Sequence, residues 1–552
     1  MTERLSMPLS TPLPFWKRDS ALIGLFAAML AGLHLLFNRQ YGYFIDEFYY
    51  LACANHLSWG YVDHPPFSIA LLAVSRAVFG DSLFGLRLLP ALAGAGTVIL
   101  TGLTVKEMGG GRTAQTIAFL GILINPLYLF MFNYYSMNSV DILLWTAAIY
   151  LVVRILNSGN ISVAAGAGAL ASPEAVVNLG EPYSMASLLR RRPHWLWVLL
   201  GVVLGIGLLN KIDVLWLGAG LAAGIVVGPY RRLLRTRWPW IAAGIAALIF
   251  LPHILWQISH GWPTLEFMHN ATVWKYSGIS RLDFLKSLVL ELHPLALPLW
   301  LAGLMSLLVF RLSKDFRVLG IIWLTVFLIL LINGHSKGEY IAPAMPPLLA
   351  AGGVALERFF ATRRRWMRIA AIGLLLCGGA VTAPYALPVL PVDSFIAYSK
   401  ILGIQPGNAE SKAMGPLPQH YADMFGWENM VATVARVYRT LTPDEQARCT
   451  IYGMHYGFAG AIDFYHEKYG LPGAVTGHNS YWLWGPGDRD GSVVIKTGGS
   501  PEDVAPYFES VTAADTIRCE YAMPYETNVP VYVCRGMKVP LREIWPKVKF
   551  YI

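Results

Sequence analysis

Residues 41–67 read YGYFIDEFYYLACANHLSWGYVDHPPF. Asp46 and Glu47 stand just beyond an apolar run at 21–37, and Asp63-His64 directly precedes Pro65-Pro66. Carboxylates at the edge of a bilayer are costly unless they are solvated, paired or bound to a ligand. Tyr and Trp favour that same depth, so an interfacial loop with aromatic anchors accounts for the composition as well. Both readings require a membrane beside this stretch, and the rest of the chain supplies one.

Of the 552 residues, 55% are hydrophobic and 14% charged, with 18 Trp, 27 Tyr and 25 Phe. A typical soluble domain carries about 25% charged residues. A soluble enzyme is therefore disfavoured. The apolar content rules out disorder, and five cysteines are too few for a disulfide scaffold. The net charge of +9 conceals an asymmetry: from residue 390 onward there are 14 Lys+Arg against 17 Asp+Glu, while the preceding part holds 29 against 17. The positive excess belongs to the membrane part, where it sets topology. The tail offers no basic patch, so nucleic acid is not an expected partner.

Apolar runs at 21–37, 83–105, 113–132, 139–156, 195–209, 212–229, 238–255, 288–310, 317–333, 340–358 and 367–388 predict about eleven crossings. The first is long enough to span and lacks a small-residue cleavage pattern, so no cleavable signal peptide is expected. The segment 64–79 is apolar but short. If it does not cross, Lys17/Arg18, Lys106/Arg112, Arg190–Arg192, the basic cluster at 231–237, Arg311/Lys314/Arg317 and Arg363–Arg365 all fall on the inner side. The positive-inside rule thus places it as an interfacial helix in the first outer loop. The expected protein is mainly α: a transmembrane unit at 1–389, N-terminus cytoplasmic, and a soluble outer α/β or α+β unit at 390–552. In the tail, 427–441 is helix-like, 492–496 and 530–534 are β-rich, and 157–193 reads as a flexible inner loop. A Cys519–Cys534 disulfide and three unpaired tail thiols are equally compatible with the spacing.

Three further polar positions stand out. Asp141, in NYYSMNSVDILLW, is either functional or a helix-capping carboxylate. Lys337, in HSKGEYIAPAMP, is one of few outer cations; it can hold a phosphate as a point charge or be a solvated loop lysine. Lys211 and Asp213 share a short outer turn and can simply pair with each other. No nucleotide-binding, HExxH or GxSxG template is present. A divalent metal ion stays open, because Asp46, Asp141 and His64 could converge in space.

Asp46-Glu47-Phe48-Tyr49-Tyr50, Gly60-Tyr61-Val62-Asp63-His64-Pro65-Pro66, Arg87 and Met137-Asn138-Ser139-Val140-Asp141 together resemble bacterial members of glycosyltransferase family 39. These are relatives of protein O-mannosyltransferases and of the lipid A aminoarabinose transferase. The stretches 207–211, 251–263 and 337–346, with 425–427 and 478–485 in the tail, extend the likeness over most of the chain. The resemblance implies a GT-C fold in the bacterial inner membrane with its active site and tail in the periplasm. It implies Asp46 and Asp141 as catalytic, and Glu47, Asp63, His64, Arg87, Lys211, Lys337 and Tyr340 as substrate-binding. Relatives often carry Arg where this chain has Tyr49, and the aminoarabinose transferase has Glu-Lys where this chain has Asp63-His64.

The implied donor is a polyprenyl-phosphate (undecaprenyl-phosphate) sugar, which needs no nucleotide motif. The implied acceptor is a lipid, a glycan or a protein, and family precedent implies inversion at the sugar carbon. Asp46 would be the general base and Lys337, with Lys211 or Arg87, would stabilise the departing phosphate. The rivals are a lipid-linked glycan polymerase or ligase and a flippase or transporter. The lack of an internal repeat and the outer-edge clustering of polar residues count against the transporter.

Overall fold

The computed structural model describes residues 19–169, 194–310, 315–406 and 412–552, without the side chains of 159–169. Lys17, Arg18, Arg190–Arg192, Arg311, Lys314 and the loop expected at 170–193 lie outside the described residues. The chain opens with α1 (Asp19–Phe37), α2 (Ile45–Asn55), α3 (Phe67–Phe79), α4 (Leu83–Glu107), α5 (Arg112–Leu123), α6 (Pro126–Met131) and α7 (Met137–Ala169). The first part of the expected inner loop, 157–169, is therefore a continuation of α7 rather than irregular chain.

Among the described residues, five helices are long and apolar enough to cross a bilayer: Asp19–Phe37, Leu83–Glu107, Met137–Ser158, Trp238–Ser259 and Arg365–Ala386. A sixth crossing results if Arg281–Leu290 and Pro294–Leu308, bent by 82°, count as one span. His194–Asn210, Val214–Val227 and Arg317–Asn333 are apolar but shorter. The protein is a multi-pass membrane protein in which several expected spans are broken. The physical reason is local. Pro126 has no N–H and disfavours helix at the preceding residue, and the Asn125 side chain caps the new helix by accepting from Leu127 and Tyr128 N–H. The run at 113–132 is thus two helices. Pro294 divides 288–310 in the same way, and Pro343 and Pro346 turn the start of 340–358 into a 3-10 segment, Gly338–Ala344.

The apolar residues form two large cores. One lies among the membrane helices and includes Leu30, Phe132, Trp145, Leu208, Trp300, Trp323 and Leu348. The other joins the loop at 39–82 to the C-terminal region: Phe44, Phe48, Tyr49 and Tyr61 pack with Trp427, Val431, Ile451, Phe458 and Val533. Gly460 permits a close approach of the two. A Cβ there would lie 3.0 Å from the backbone carbonyl of Phe48, so α2 rests directly on the Tyr456–Tyr469 helix.

The C-terminal region is built on a five-stranded mixed sheet. Its strands are β1 (Cys449–Tyr452), β2 (Ala474–Val475), β3 (Val493–Thr497), β4 (Phe508–Ile517) and β5 (Val529–Met537). β2, β1 and β3 run parallel; β3, β5 and β4 are antiparallel. The β-rich runs at 492–496 and 530–534 fall in β3 and β5, and 427–441 contains the helix Trp427–Arg439. Cys519 and Cys534 are both unpaired, as are Cys53, Cys377 and Cys449. Cys534 is buried within β5, opposite Val494, while Cys519 lies beyond the end of β4 against Gly426, so the proposed disulfide does not form.

Candidate active site

The DE motif opens α2. Glu47 is its third helical residue and reaches back to accept from Phe44 N–H (2.8 Å), satisfying one of the donors a helix start leaves unmatched. The same carboxylate meets Arg87 of α4 through a two-pronged contact, Nε to Oε1 at 2.9 Å and Nη2 to Oε2 at 2.8 Å. Both side chains are wholly buried. Arg87 also donates to the carbonyls of Asn38 and Gly42, and Glu47 accepts from Tyr135 N–H. Glu47 and Arg87 bind each other and tie α1, α2, α4 and the 133–138 loop together.

Asp46, next to Glu47, is half-buried. Its Oδ1 accepts the hydroxyl of Tyr456 (2.8 Å), 410 residues away in the C-terminal region. Tyr456 is set by His478, whose Nδ1 accepts from Tyr456 N–H (3.4 Å) and whose Nε2 pairs with the Ile552 carbonyl (2.9 Å). Burial lowers the His478 pKa to about 3, so the ring stays neutral and keeps that acceptor.

Asp63 accepts the Tyr49 hydroxyl at 2.8 Å. Burial, then the Asp63 charge, raises the Tyr49 phenol well above its ordinary pKa, so it remains a donor. Ser480 lies 2.8 Å from that hydroxyl and accepts from Val62 N–H. His64 is buried, with Nδ1 3.0 Å from the Pro65 carbonyl and its ring stacked on Tyr50. Among the described residues its Nε2 meets no hydrogen-bond partner.

A second cluster lies at the start of α7. Lys211 Nζ is 3.0 Å from Asp213, 3.7 Å from Asp141 and 3.0 Å from the Asn138 side-chain oxygen. Asp141 and Asp213 are buried, and their oxygens make no hydrogen bond beyond this ion-paired group among the described residues. Lys211 also lies 5.6 Å from the centre of the Tyr340 ring. Lys337 is 3.9 Å from Glu339 and 5.1 Å from the Tyr276 ring. The 133–138 loop joins the two clusters. Tyr50 of α2 accepts from Met137 N–H, and Asn210 donates to the Met137 carbonyl. Burial, then the charges of Glu339 and Asp46, raise the Tyr134 phenol, so one ring senses a carboxylate from each cluster.

Among the described residues no group of three or more His, Cys, Asp or Glu side chains is placed to hold a metal ion. Asp46, Asp141 and His64 therefore do not form the set left open by the sequence. Sequence reasoning missed Tyr456, Ser480 and His478 as parts of this site; in 478–485 only the aromatic run Tyr481–Trp484, readable as buried core or as a surface for stacking on sugar, offers a signal, and it does not point to Asp46.

A family model described as dolichyl-phosphate-mannose-protein mannosyltransferase matches residues 63–173 and 180–256. ArnT from Cupriavidus metallidurans, solved bound to undecaprenyl phosphate and in the apo state, superposes with a TM-score of 0.56 in both cases, over 93% of this chain and 97% of that one. The chain has the GT-C glycosyltransferase fold. At 15% and 17% identity the likeness to ArnT is one of fold. Lipid A galacturonosyltransferase RgtD of Rhizobium johnstonii is 21% identical over 300 residues, covering 53% of this chain and 54% of that relative. The match thus spans about half the length of the curated relative. The GT-C resemblance carried by the Asp46–Pro66 motifs is borne out.

Proposed function

We propose that this GT-C protein is a membrane glycosyltransferase moving a single sugar from a polyprenyl-phosphate donor to a lipid, glycan or protein acceptor on the periplasmic face. The observation that carries the reading is the Tyr456-oriented Asp46, joined through one loop to the Lys211 and Lys337 cations, in a fold shared along its length with ArnT. That relative was solved with undecaprenyl phosphate bound, which supports a lipid-phosphate donor.

The residues divide the work as follows. The acceptor hydroxyl oxygen attacks the anomeric carbon while the bond from that carbon to the phosphate oxygen breaks. Asp46 takes the hydroxyl proton, and the electron pair of the broken bond leaves on the polyprenyl phosphate. Attack opposite the leaving group inverts the sugar carbon. Lys337, beside Glu339 and the Tyr276 ring, stabilises the departing phosphate electrostatically. Lys211 and Asp141 hold each other and the Asn138 side chain in place. Tyr49 and Asp63 brace the loop behind the base. The 1–389 part supplies the catalytic groups and 390–552, on the same outer side, supplies Tyr456.

The test is to supply purified protein in detergent with undecaprenyl-phosphate sugars and cell lipid extract, and to follow products by mass spectrometry. One lipid gaining the mass of one sugar, with release of undecaprenyl phosphate, is the expected result. Transfer of whole glycan chains would replace this reading with the polymerase or ligase.

A further inference from the structure

At the opposite end of α2 from Asp46 there is a cavity of about 470 Å³ between the end of that helix and the C-terminal region. Ten residues of helix separate His56 from Asp46, a rise of about 15 Å. The volume lies within the range of small-molecule sites, about 300–1,000 Å³.

One wall is aromatic. Trp484 is stacked on His56, with ring centres 4.2 Å apart and planes 12° from parallel, and lies 4.7 Å from the Tyr481 ring. The other wall is polar and already held in place. The Asp463 carboxylate accepts the Tyr481 hydroxyl (2.6 Å) and Ala474 N–H (2.7 Å), and Arg489 donates from Nη2 to the Gly473 carbonyl (2.6 Å). A carboxylate has about four acceptor positions and a guanidinium about five donors, so both keep capacity for a ligand. Gly473 leaves them uncovered: a Cβ there would sit 3.2 Å from Asp463 Oδ1 and 3.4 Å from Arg489 Nη2.

The charges cancel. Asp463 and Arg489 are of opposite sign, and Asp488 at the rim is paired with Arg542 at 3.1 Å. The cavity therefore lacks the positive field that a phosphate or carboxylate ligand needs. It offers an electron-rich ring face beside fixed donors and acceptors. A sugar ring has the complementary form, with weakly positive C–H bonds on one face and hydroxyls around its edge. We propose that this cavity binds a neutral sugar residue of the acceptor, with its C–H face on Trp484 and its hydroxyls on Asp463 and Arg489. The word acceptor rests on the transferase reading; the sugar site does not.

Saturation-transfer NMR on the full chain in detergent tests this, with D-glucose, D-mannose, D-galactose, N-acetylglucosamine and D-galacturonate as probes. The expected result is transfer to at least one neutral sugar, lost in Trp484→Ala and in Arg489→Gln but retained in Asp46→Asn. Arg489→Gln removes no packed ring and decides the matter if Trp484→Ala does not fold. No transfer to a neutral sugar, transfer to galacturonate alone, transfer that survives Arg489→Gln, or transfer lost in Asp46→Asn would each overturn the site. If the site fails while glycolipid still forms, the transferase reading stands. If neutral sugar binds here but no glycolipid forms, the site stands and that reading falls.

Discussion

The loop cluster around Asp46 and the cluster around Lys211 solve the problem of charge at a membrane edge in opposite ways. Around Asp46 the acidic groups are matched one by one: Glu47 to Arg87, Asp46 to Tyr456, Asp63 to Tyr49. Around Lys211 two buried carboxylates share one ammonium. The first arrangement is a rigid, satisfied framework that can aim a base. The second gathers Lys211, Asp141, Asp213 and the Asn138 side chain into one buried group that anchors the 133–138 loop.

The largest expected effect comes from breaking the satisfied framework. Arg87→Met leaves Glu47 buried and unpaired, and should cost about 3–5 kcal/mol of stability in a detergent melt. The double variant Glu47→Gln/Arg87→Met should be less destabilised than Arg87→Met alone; equal loss would mean the pair is not the framework described. Next, Lys337→Met should lower kcat by about 10²-fold, the scale of one charge-stabilising donor. The same loss in Lys211→Met with Lys337→Met unaffected would move the phosphate contact to the buried cluster.

Acid should act more weakly and on the C-terminal region. Burial lowers the pKa of His420 to about 4 and that of His478 to about 3, from an ordinary 6.5. Above pH 6.5 folded and unfolded chains both carry these rings neutral, and they contribute nothing. Below it the unfolded chain takes up protons that the folded chain refuses until about pH 4 and pH 3. Stability therefore falls as pH drops through that window, by up to about 2 kcal/mol per ring at pH 5. Melting curves of His420→Gln and His478→Asn should show a shallower acid slope than wild type; unchanged slopes would mean the rings are already protonated. The smallest effect is Tyr456→Phe, which should reduce kcat by about 10-fold while Asp46 stays in place, the value of one hydrogen bond to a charged group.

Much of the architecture was legible because membrane spans and the Asp46–Pro66 motif are local signals. The breaks at Pro126 and Pro294 were written in the chain too, but hydropathy windows average across a single proline. The site was only half legible. Lys211 and Asp213 are two residues apart, so their pairing could be anticipated. The joining of Asp141 to that pair, and of Tyr456 and Ser480 to residues more than 400 positions earlier, depends on tertiary packing that no spacing reports. Arg87 shows the converse. The family resemblance marks it as substrate-binding, and no spacing shows that a glutamate 40 residues away already holds its fork.

The most direct measurement compares sugar transfer to lipid by wild type and Asp46→Asn at equal folded concentration, read by mass spectrometry. The account predicts that one lipid gains a single sugar mass and that the rate falls by about 10²–10⁴-fold in Asp46→Asn. Transfer at an undiminished rate in that variant would contradict Asp46 as the base.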